Sequence, residues 1–408
     1  MCDNQTTMHN ENTPRTDIYD AVKSAQQRIL PQAVALRHHL HQYPELSGSE
    51  AQTAAHVAAQ LAPLSLTSVQ TDLGGHGVVA TLEGAHPGPT IALRADMDAL
   101  PICEQGDLPY KSRADGIMHA CGHDGHTACL WGAASVLASL REHIHGTIKL
   151  VFQPAEETTG GAEALCALGV MDNVQAIFAL HGWPALPVGQ IGIRPGPMMA
   201  SADRFDIILR GRGGHAAYPH LCVDPIAAGA QLVQTLQTIA SREVSPLEPV
   251  VVTIAQFHAG TAFNIIPGEA HLAGTVRCLS NEVRETMPAV MERITAGVCA
   301  ATRCEYDFSY VPGPPVVVND LALTTFVEDT GRQVVGRDNV RLLDTPSMGA
   351  EDFAYYLAHA PGAFLRLGVG IDVTPLHTPT FNFSDAALPF GIETLAALAL
   401  GYGARHSA

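Results

Sequence analysis

The stretch Thr147-Ile148-Lys149-Leu150-Val151-Phe152-Gln153-Pro154-Ala155-Glu156-Glu157 sets the fold. Residues 148–152 form a short apolar run, which predicts a buried central strand. Pro154 stops that strand, and two carboxylates follow at once. Three other predicted strands end in the same manner. Residues 90–94 run into Asp96-Met97-Asp98, residues 174–180 into His181-Gly182-Trp183, and residues 363–368 into a loop carrying His377. In open α/β sheets, ligands bind outside the carboxyl ends of the strands. Acid or histidine clusters at four such ends predict one shared site, because solvated surface charge would not select strand ends.

Outward from this stretch, helical patterns at 127–140 and 162–168 alternate with strands, including one at 77–82. The alternation predicts an α/β sheet covered on both faces. Residues 18–40 are helical: Ile18, Val22, Ala25, Ile29 and Leu30 keep a period near 3.6 until Pro31 interrupts it. The pattern changes at Ser201. A strand at 204–209, a helix at 224–240, strands at 250–257 and 270–279, a helix at 281–300 with Asn281 as N-cap, and a strand at 303–311 follow. This β-α-β-β-α-β order is the split βαβ, ferredoxin-like arrangement. Val311-Pro312-Gly313-Pro314-Pro315 is the hinge back. The expected organisation is a disordered tail at 1–17, a catalytic domain from 18–200 and 312–408, and an inserted domain at 201–311.

Composition narrows the function. Of 408 residues, 47% are hydrophobic and 15% charged, which favours a packed core over disorder. Asp plus Glu is 40 against 23 for Lys plus Arg, a formal charge of -17. So acidic a surface excludes nucleic acid as a partner. No run of 18 apolar residues exists, and no membrane partner is expected. The tail lacks the apolar segment of a signal peptide. Nine cysteines, odd in number and without a C-x-x-C pair, predict reduced thiols and a cytoplasmic location.

The densest polar cluster is Met118-His119-Ala120-Cys121-Gly122-His123-Asp124-Gly125-His126-Thr127. Cys121 and His123 alternate, so an extended loop aims both at one point. A thiolate and an imidazole are ligands for Zn, Ni or Mn-type divalent ions. The plain alternative is a polar helix start with a buried cysteine; carboxylates and histidines at the neighbouring strand ends favour metal. Glu156-Glu157 reads either as a solvated pair or as two groups with different tasks, since adjacent side chains diverge. One would ligate metal and the other would take a proton from water. In the inserted domain, Gly213-Gly214-His215 is a Gly-rich turn or a loop delivering an imidazole donor. Asn264 and Arg277 are further polar positions, and an Arg fork suits a substrate carboxylate. H-E-x-x-H, G-x-x-x-x-G-K-[ST] and G-x-S-x-G motifs are all absent.

Several motifs in order resemble the M20 metallopeptidase family, in its amidohydrolase branch of hippurate hydrolases and N-acyl-amino-acid amidohydrolases. They are Arg37-His38-His39-Leu40-His41 with Pro44-Glu45-Leu46-Ser47, and Leu93-Arg94-Ala95-Asp96-Met97-Asp98-Ala99-Leu100-Pro101. The Met118–Thr127 cluster, Phe152 to Glu157, Ala179 to Pro184, and Gly213 to His220 follow. Met348-Gly349-Ala350-Glu351-Asp352-Phe353 and Leu376-His377-Thr378-Pro379 complete the set. The resemblance covers nearly the whole chain after the tail. It implies a zinc-peptidase-like α/β/α catalytic domain with an inserted ferredoxin-like lid or dimerisation domain. It also implies two divalent metal ions per subunit (Mn, Zn, Ni or Co), held by Cys121, His123, Glu157, His181 and His377. Glu156 falls on the general base, Asp98 on the acid beneath the metals, and His215, Asn264 and Arg277 on residues that meet the transition state or the substrate carboxylate. The implied substrate is a small N-acyl amino acid. The implied assembly is a homo-oligomer, dimer or tetramer, through the lid, in which His215 acts in cis or across subunits. A dipeptidase or carboxypeptidase at the same site, a non-catalytic metal-binding protein, and a Cys121 thiol nucleophile are the readings this leaves beside it.

Overall fold

The central strands are buried on both faces, and successive side chains point to opposite faces, so the residues at the strand ends divide between the apolar core and the face that carries the polar groups. The computed structural model describes residues 13–158 and 160–407. The chain divides into two compact units. The larger comprises Met1–Pro195, Asn319–Leu343 and Tyr356–Ala408; the smaller comprises Gly196–Val318 and Asp344–Tyr355. The sequence places the inserted domain at 201–311. The smaller unit reaches beyond that at both ends and also takes in the segment bearing the Met348–Phe353 motif.

The larger unit opens with helices α1 (Thr13–Gln42) and α2 (Ala51–Leu61). Strands β1 (Ser68–Leu73), β2 (Gly77–Glu83) and β3 (His86–Asp96) lead to helix α3 (His123–Ser139). Strand β4 (His145–Gln153), helix α4 (Gly161–Ala167), and strands β5 (Val174–Pro184) and β6 (Ile191–Ile193) complete its first segment. The smaller unit holds β7 (Gly196–Met199), β8 (Asp203–Arg210), β9 (Gly214–His215) and α5 (Pro225–Leu236). It continues with β10 (Val250–Ala259), β11 (Ile265–Ile266), β12 (Glu269–Cys278), α6 (Asn281–Thr302), β13 (Glu305–Val311) and β14 (Val317–Asn319). Helix α7 (Leu321–Val334), strands β15 (Val340–Leu342) and β16 (Gly362–Gly370), and helix α8 (Leu388–His406) return to the larger unit.

The larger sheet has eight strands in the order β1-β2-β4-β3-β5-β16-β6-β15. Its centre is parallel, with Leu93 opposite both Leu150 and Phe178, and Leu180 opposite Leu365. These residues, with their neighbours two positions away, form one apolar layer with the buried sides of α1, α3 and α8. The alternate positions, Arg94, Ala179, His181, Phe364 and Arg366, face the other way. Helix α3 is buried from His123 through Leu137, packed against α1 and α8. Helix α8 is long and apolar enough to cross a membrane, yet 78% of that stretch is buried inside the protein. Its apolarity is that of a core helix.

The smaller unit's main sheet runs β10-β12-β8-β13, entirely antiparallel, with α5 and α6 packed on it. This strand order is that of a ferredoxin-like fold.

Three local expectations change. The helix expected at 18–40 forms, but Pro31 does not interrupt its pattern: Val22, Ala25, Ala33, Leu36 and Leu40 keep one buried face on both sides of the proline. Ser280, not Asn281, caps α6, its hydroxyl accepting from the Val283 amide; the Asn281 side chain instead accepts from the amide of Val316. Residues 1–12 of the expected disordered tail lie outside the described residues, and 13–17 belong to α1.

Helix α1 is fastened to the sheet's active end by Arg37, which is fully buried. Its guanidinium donates to Asp124 (2.9 Å), the Tyr110 hydroxyl (3.0 Å), Asp385 (2.8 Å) and Asn382. Asp124 also faces His41 Nδ1 at 2.9 Å, and Glu104 lies 3.4 Å from His41 Nε2. Burial opposes a charge on His41, but Asp124 and Glu104 outweigh it and lift its pKa from 6.5 to about 9. A raised pKa stabilises the fold fully below about pH 6.5, and that stability is lost as pH rises through 9. The contribution is about 3 kcal/mol at most, from about 1.4 kcal/mol per unit. Urea unfolding of wild type should therefore show a falling midpoint between pH 6 and pH 10. His41→Gln should flatten much of that slope; an unchanged slope would show that His41 is not the titrating group.

Candidate metal centre

Five elements deliver the site. Asp98 follows the end of β3, Glu156 and Glu157 follow β4, and His181 lies near the end of β5. Cys121 and His123 stand at the start of α3, and His377 lies in the loop after β16. Two backbone kinks aim the side chains. Ala155 has φ 52°, and its amide is held by Glu50 at 2.7 Å, so the chain turns sharply just before Glu156. His377 has φ 61°, and its amide donates to the Ala120 carbonyl at 2.8 Å, which binds its loop to that of Cys121. Gly122 at φ 92° allows Cys121 and His123 to converge, and a side chain at Gly125 would run into the Phe383 ring at 2.5 Å.

The donor atoms form three overlapping groups: Cys121, His123 and His181; Cys121, Glu157 and His377; and His123, Glu156 and Glu157. Within each group all ligand atoms lie within 4.8 Å of one another. Cys121 Sγ is 3.4 Å from His181 Nε2, and Glu157 Oε1 is 3.3 Å from His377 Nε2 and 3.9 Å from His123 Nε2. The structure thus brings together every metal ligand expected from the sequence, with Glu156 alongside.

These residues fit divalent cations on grounds internal to the site. His123 Nε2 and Glu157 Oε1 are buried and make no hydrogen bond among the described residues. Such orphaned atoms are costly unless something else satisfies them. The ring orientations agree. His123 Nδ1 faces the Asp98 carbonyl at 2.9 Å and its carboxylate at 3.2 Å, and His181 Nδ1 faces the Gly182 carbonyl at 2.8 Å. Each Nδ1 therefore carries the proton, and each Nε2 lone pair points inward. Thiolate, imidazole and carboxylate together suit Zn, Mn, Ni or Co.

A second layer of side chains fixes the first. Asp98 accepts from Ser47 Oγ at 2.6 Å and from the Glu157 amide at 2.9 Å while holding His123, so one carboxylate orients two ligands. His126 Nε2 accepts from the Gly182 amide at 2.6 Å, so its Nδ1–H donates to Asp96 at 2.7 Å. Asp96 in turn accepts from Arg94 at 2.7 Å.

Burial and neighbouring charge shift the titrating groups of the cluster in opposite directions. Burial opposes charge on His123, but Asp96 and Cys121 raise its pKa well above the usual imidazole value. The proximity of Cys121 and Glu157 lifts His377 to about 10. His181 is lowered well below its usual value by burial, then by His126. Burial raises the Cys121 thiol, and Glu157 adds to it. A cation bound by these groups would displace any proton they carry, so its affinity would depend on pH.

The remaining predicted residues lie in the smaller unit. His215 is exposed on β9, opposite Ile265 of β11, and the Ala216 amide donates to the Asn264 carbonyl at 3.1 Å. His215 Nδ1 accepts from the Ala217 amide at 3.0 Å, so a neutral ring carries its proton on Nε2. His215 and Asn264 lie beyond the Glu269 end of β12. Arg277 sits near the other end, donating to the Met348 carbonyl at 3.2 Å. Roughly 25 Å of strand separates the two ends.

Comparison with known proteins agrees with this site. Residues 92–401 match the description of peptidase family M20/M25/M40. The chain belongs to that family. An N-acyl-L-amino acid amidohydrolase of Geobacillus stearothermophilus is 45% identical over 301 residues, 74% of this chain and 81% of the relative. An N-acetylcysteine deacetylase of Bacillus subtilis is 40% identical over 367 residues, 90% of this chain and 96% of the relative. The crystal structure of the Bacillus subtilis YXEP protein, described as a dinuclear metal-binding peptidase of the M20 family, superposes with a TM-score of 0.83. It is 36% identical, covering 93% of this chain and 99% of that one. This M20 chain is therefore a hydrolase of amide bonds.

Sequence reasoning named Asp98 but gave the Asp96–His126 pair no role. The only available signal was that both lie within motifs; their pairing depends on how β3 meets α3. In this M20 hydrolase the pair fixes the peptide that carries His181. Orienting partners of this kind are worth about 10–100-fold in metal affinity. His126→Ala should weaken metal retention by that factor in a competition titration with a chelator, with its far-UV circular dichroism unchanged. Retention equal to wild type would remove the pair from the site.

Proposed function

We propose that the chain hydrolyses the amide bond of N-acyl amino acids, hippurate-like substrates included, at a pair of divalent cations. Cys121, His123, Glu157, His181 and His377 hold them. The observation that carries this reading is the placement of Glu156 in one group with His123 and Glu157, all ligand atoms within 4.8 Å. Metal binding alone needs no second glutamate there. Bound divalent ions supply Lewis acidity, which polarises the acyl carbonyl and lets water lose a proton near neutral pH.

Glu156 takes the proton of the attacking water as the new carbon–oxygen bond forms. It then delivers that proton to the nitrogen as the carbon–nitrogen bond breaks, so the amine leaves neutral. Asp98 keeps Glu157 and His123 in register during both steps. His215 Nε2–H donates to the developing oxyanion, a contact worth about 3–4 kcal/mol in comparable sites. Arg277 holds the substrate's α-carboxylate, and Asn264 reaches it only from a second copy of the chain.

The same reading makes the smaller unit a lid and an assembly surface. His215 and Asn264 are too far from Arg277 within that unit to meet one small substrate. Strand β10 is an edge of its sheet, and Phe257, Phe263 and Ile265 are exposed near it. Pairing of this face with a second copy would cover them and let His215 act across the interface. The eight free cysteines among the described residues fit a reducing, cytoplasmic setting.

A dipeptide is also an N-acyl amino acid, so a dipeptidase or carboxypeptidase would use the same atoms. A panel of N-acetyl and N-benzoyl amino acids against matched dipeptides separates these readings, on protein reconstituted with Mn, Zn, Ni or Co. The N-acyl amino acids should be the faster substrates. Glu156→Gln should keep its metal content and lose about 10²–10⁴-fold in kcat. Turnover near the wild-type rate would refute Glu156 as the base.

A further inference from the structure

Arg366 is an unusual residue for the centre of a buried sheet. It lies on β16 directly beside His181 of β5, in parallel register. Neighbours in register point to the same face, so Arg366 shares the face of His181 rather than that of the apolar core. The His181 ring meets Phe364, two residues before Arg366, at 6.2 Å. Trp183, two residues after His181, lies 6.0 Å from it ring to ring. The Arg366 guanidinium carbon stacks 3.7 Å from the centre of the Trp183 ring. Together these distances keep the guanidinium within about 10 Å of the His181 ring.

Among the described residues this cation has no counter-ion. Arg366 is 7% exposed, and it makes no hydrogen bond or ion pair among the described residues. Every other deeply buried arginine has carboxylate or amide partners: Arg37 bonds Asp124 and Asp385, and Arg94 bonds Asp96 and Gln153. Burial alone pulls the Arg366 pKa down to about 10, with no neighbouring charge to oppose it, and it stays charged at neutral pH. A buried unpaired charge is expensive to maintain. Stacking on Trp183 uses only the π face of the guanidinium. The N–H donors lie in its plane and remain available, in the fork geometry that matches a carboxylate.

We propose that Arg366, backed by Trp183, is an anion subsite on the metal-bearing face of the sheet, taking a second carboxylate of the substrate beyond the α-carboxylate. It rests on the amidohydrolase reading for its place in catalysis and narrows the substrate class to N-acyl amino acids with an additional acid. That acid sits either at the far end of a dicarboxylic acyl group or on an acidic amino-acid side chain. The two share one chemistry at Arg366 and differ in which side of the scissile bond carries it.

Two measurements on metal-loaded protein test the subsite. In thermal denaturation at constant ionic strength, succinate or glutarate should raise the midpoint of wild type by several degrees over a chloride control. It should do so for Arg366→Met far less, while any effect of these anions on the metals is common to both proteins. In kinetics, N-succinyl-leucine is compared with its neutral succinamoyl analogue, and N-acetyl-glutamate with N-acetyl-glutamine. Wild type should favour the acid in one pair by tenfold or more in kcat/KM, and that pair identifies the side of the bond. In Arg366→Met the ratio should fall toward one. Should Arg366→Met fail to fold, Arg366→Gln, which loses only the charge, takes its place. Equal midpoint shifts in wild type and variant, or a charged-to-neutral ratio that the substitution leaves unchanged, would overturn the subsite. If no N-acyl amino acid is cleaved at all, the amidohydrolase reading fails, and the thermal measurement still decides whether Arg366 binds carboxylate.

Discussion

One buried cation on the first helix governs the position of the site. Arg37 reaches Asp124, one residue after His123, and also Asp385 and Asn382, which follow His377 in the same loop. Cys121 and His123 at the start of α3, and His377 far along the chain, are therefore tied to a common point. Breaking a buried pair of this kind leaves an uncompensated charge, at a cost of about 3–5 kcal/mol. The cost of removal, rather than any net gain from the pair, is what makes the arrangement rigid. His41 on the same helix adds a second partner for Asp124, so the α3 start is held from two turns of α1 at once.

Charge balance links this framework to chemistry. The chain carries a formal charge of -17, and its centre concentrates carboxylates at Asp96, Asp98, Asp124, Glu156 and Glu157. Each structural acid has a protein partner: Arg37 and His41 for Asp124, Arg94 and His126 for Asp96, and Ser47 and His123 for Asp98. Glu157 Oε1, by contrast, makes no hydrogen bond and looks toward His123 and His377. The same division separates Arg366 from Arg37 and Arg94. Asp96, Asp98 and Asp124 each hold partners within the protein, whereas Glu157 Oε1 and the Arg366 Nε make no hydrogen bond among the described residues.

The sequence was most legible where local pattern and chemistry coincide. Strand ends carrying Asp98, Glu156, Glu157 and His181 follow from apolar runs that stop at polar residues, and those runs are where β3, β4 and β5 lie. The ferredoxin-like order of the smaller unit follows from element order alone. Features set by register were hidden. Arg366 is unremarkable in Phe364-Leu365-Arg366-Leu367 until β16 aligns it with His181. The Asp96–His126 bond joins a strand end to a helix start across 30 residues. The separation of Arg277 from His215 depends on the length of β12, which no motif encodes. The helix at 18–40 was legible, though its apolar face continues through Pro31 where a local rule expects the pattern to break; Asn281 was misjudged as a cap because a backbone amide at Val316 competes for it.

Precision at the metals and selectivity toward substrate are therefore supplied by different kinds of structure. The metal ligands stand on strand ends and a helix start inside a close-packed core, where Asp98 sets two of them through a single carboxylate. An error in that carboxylate would move His123 and Glu157 together, so it preserves their mutual geometry better than two separate supports would. Selectivity needs no such coupling, because a substrate group is read by one side chain at a time. That is why Arg366 can sit one strand away from His181 and yet be changed without disturbing the hydrogen bonds that orient the ligands: it shares none of them.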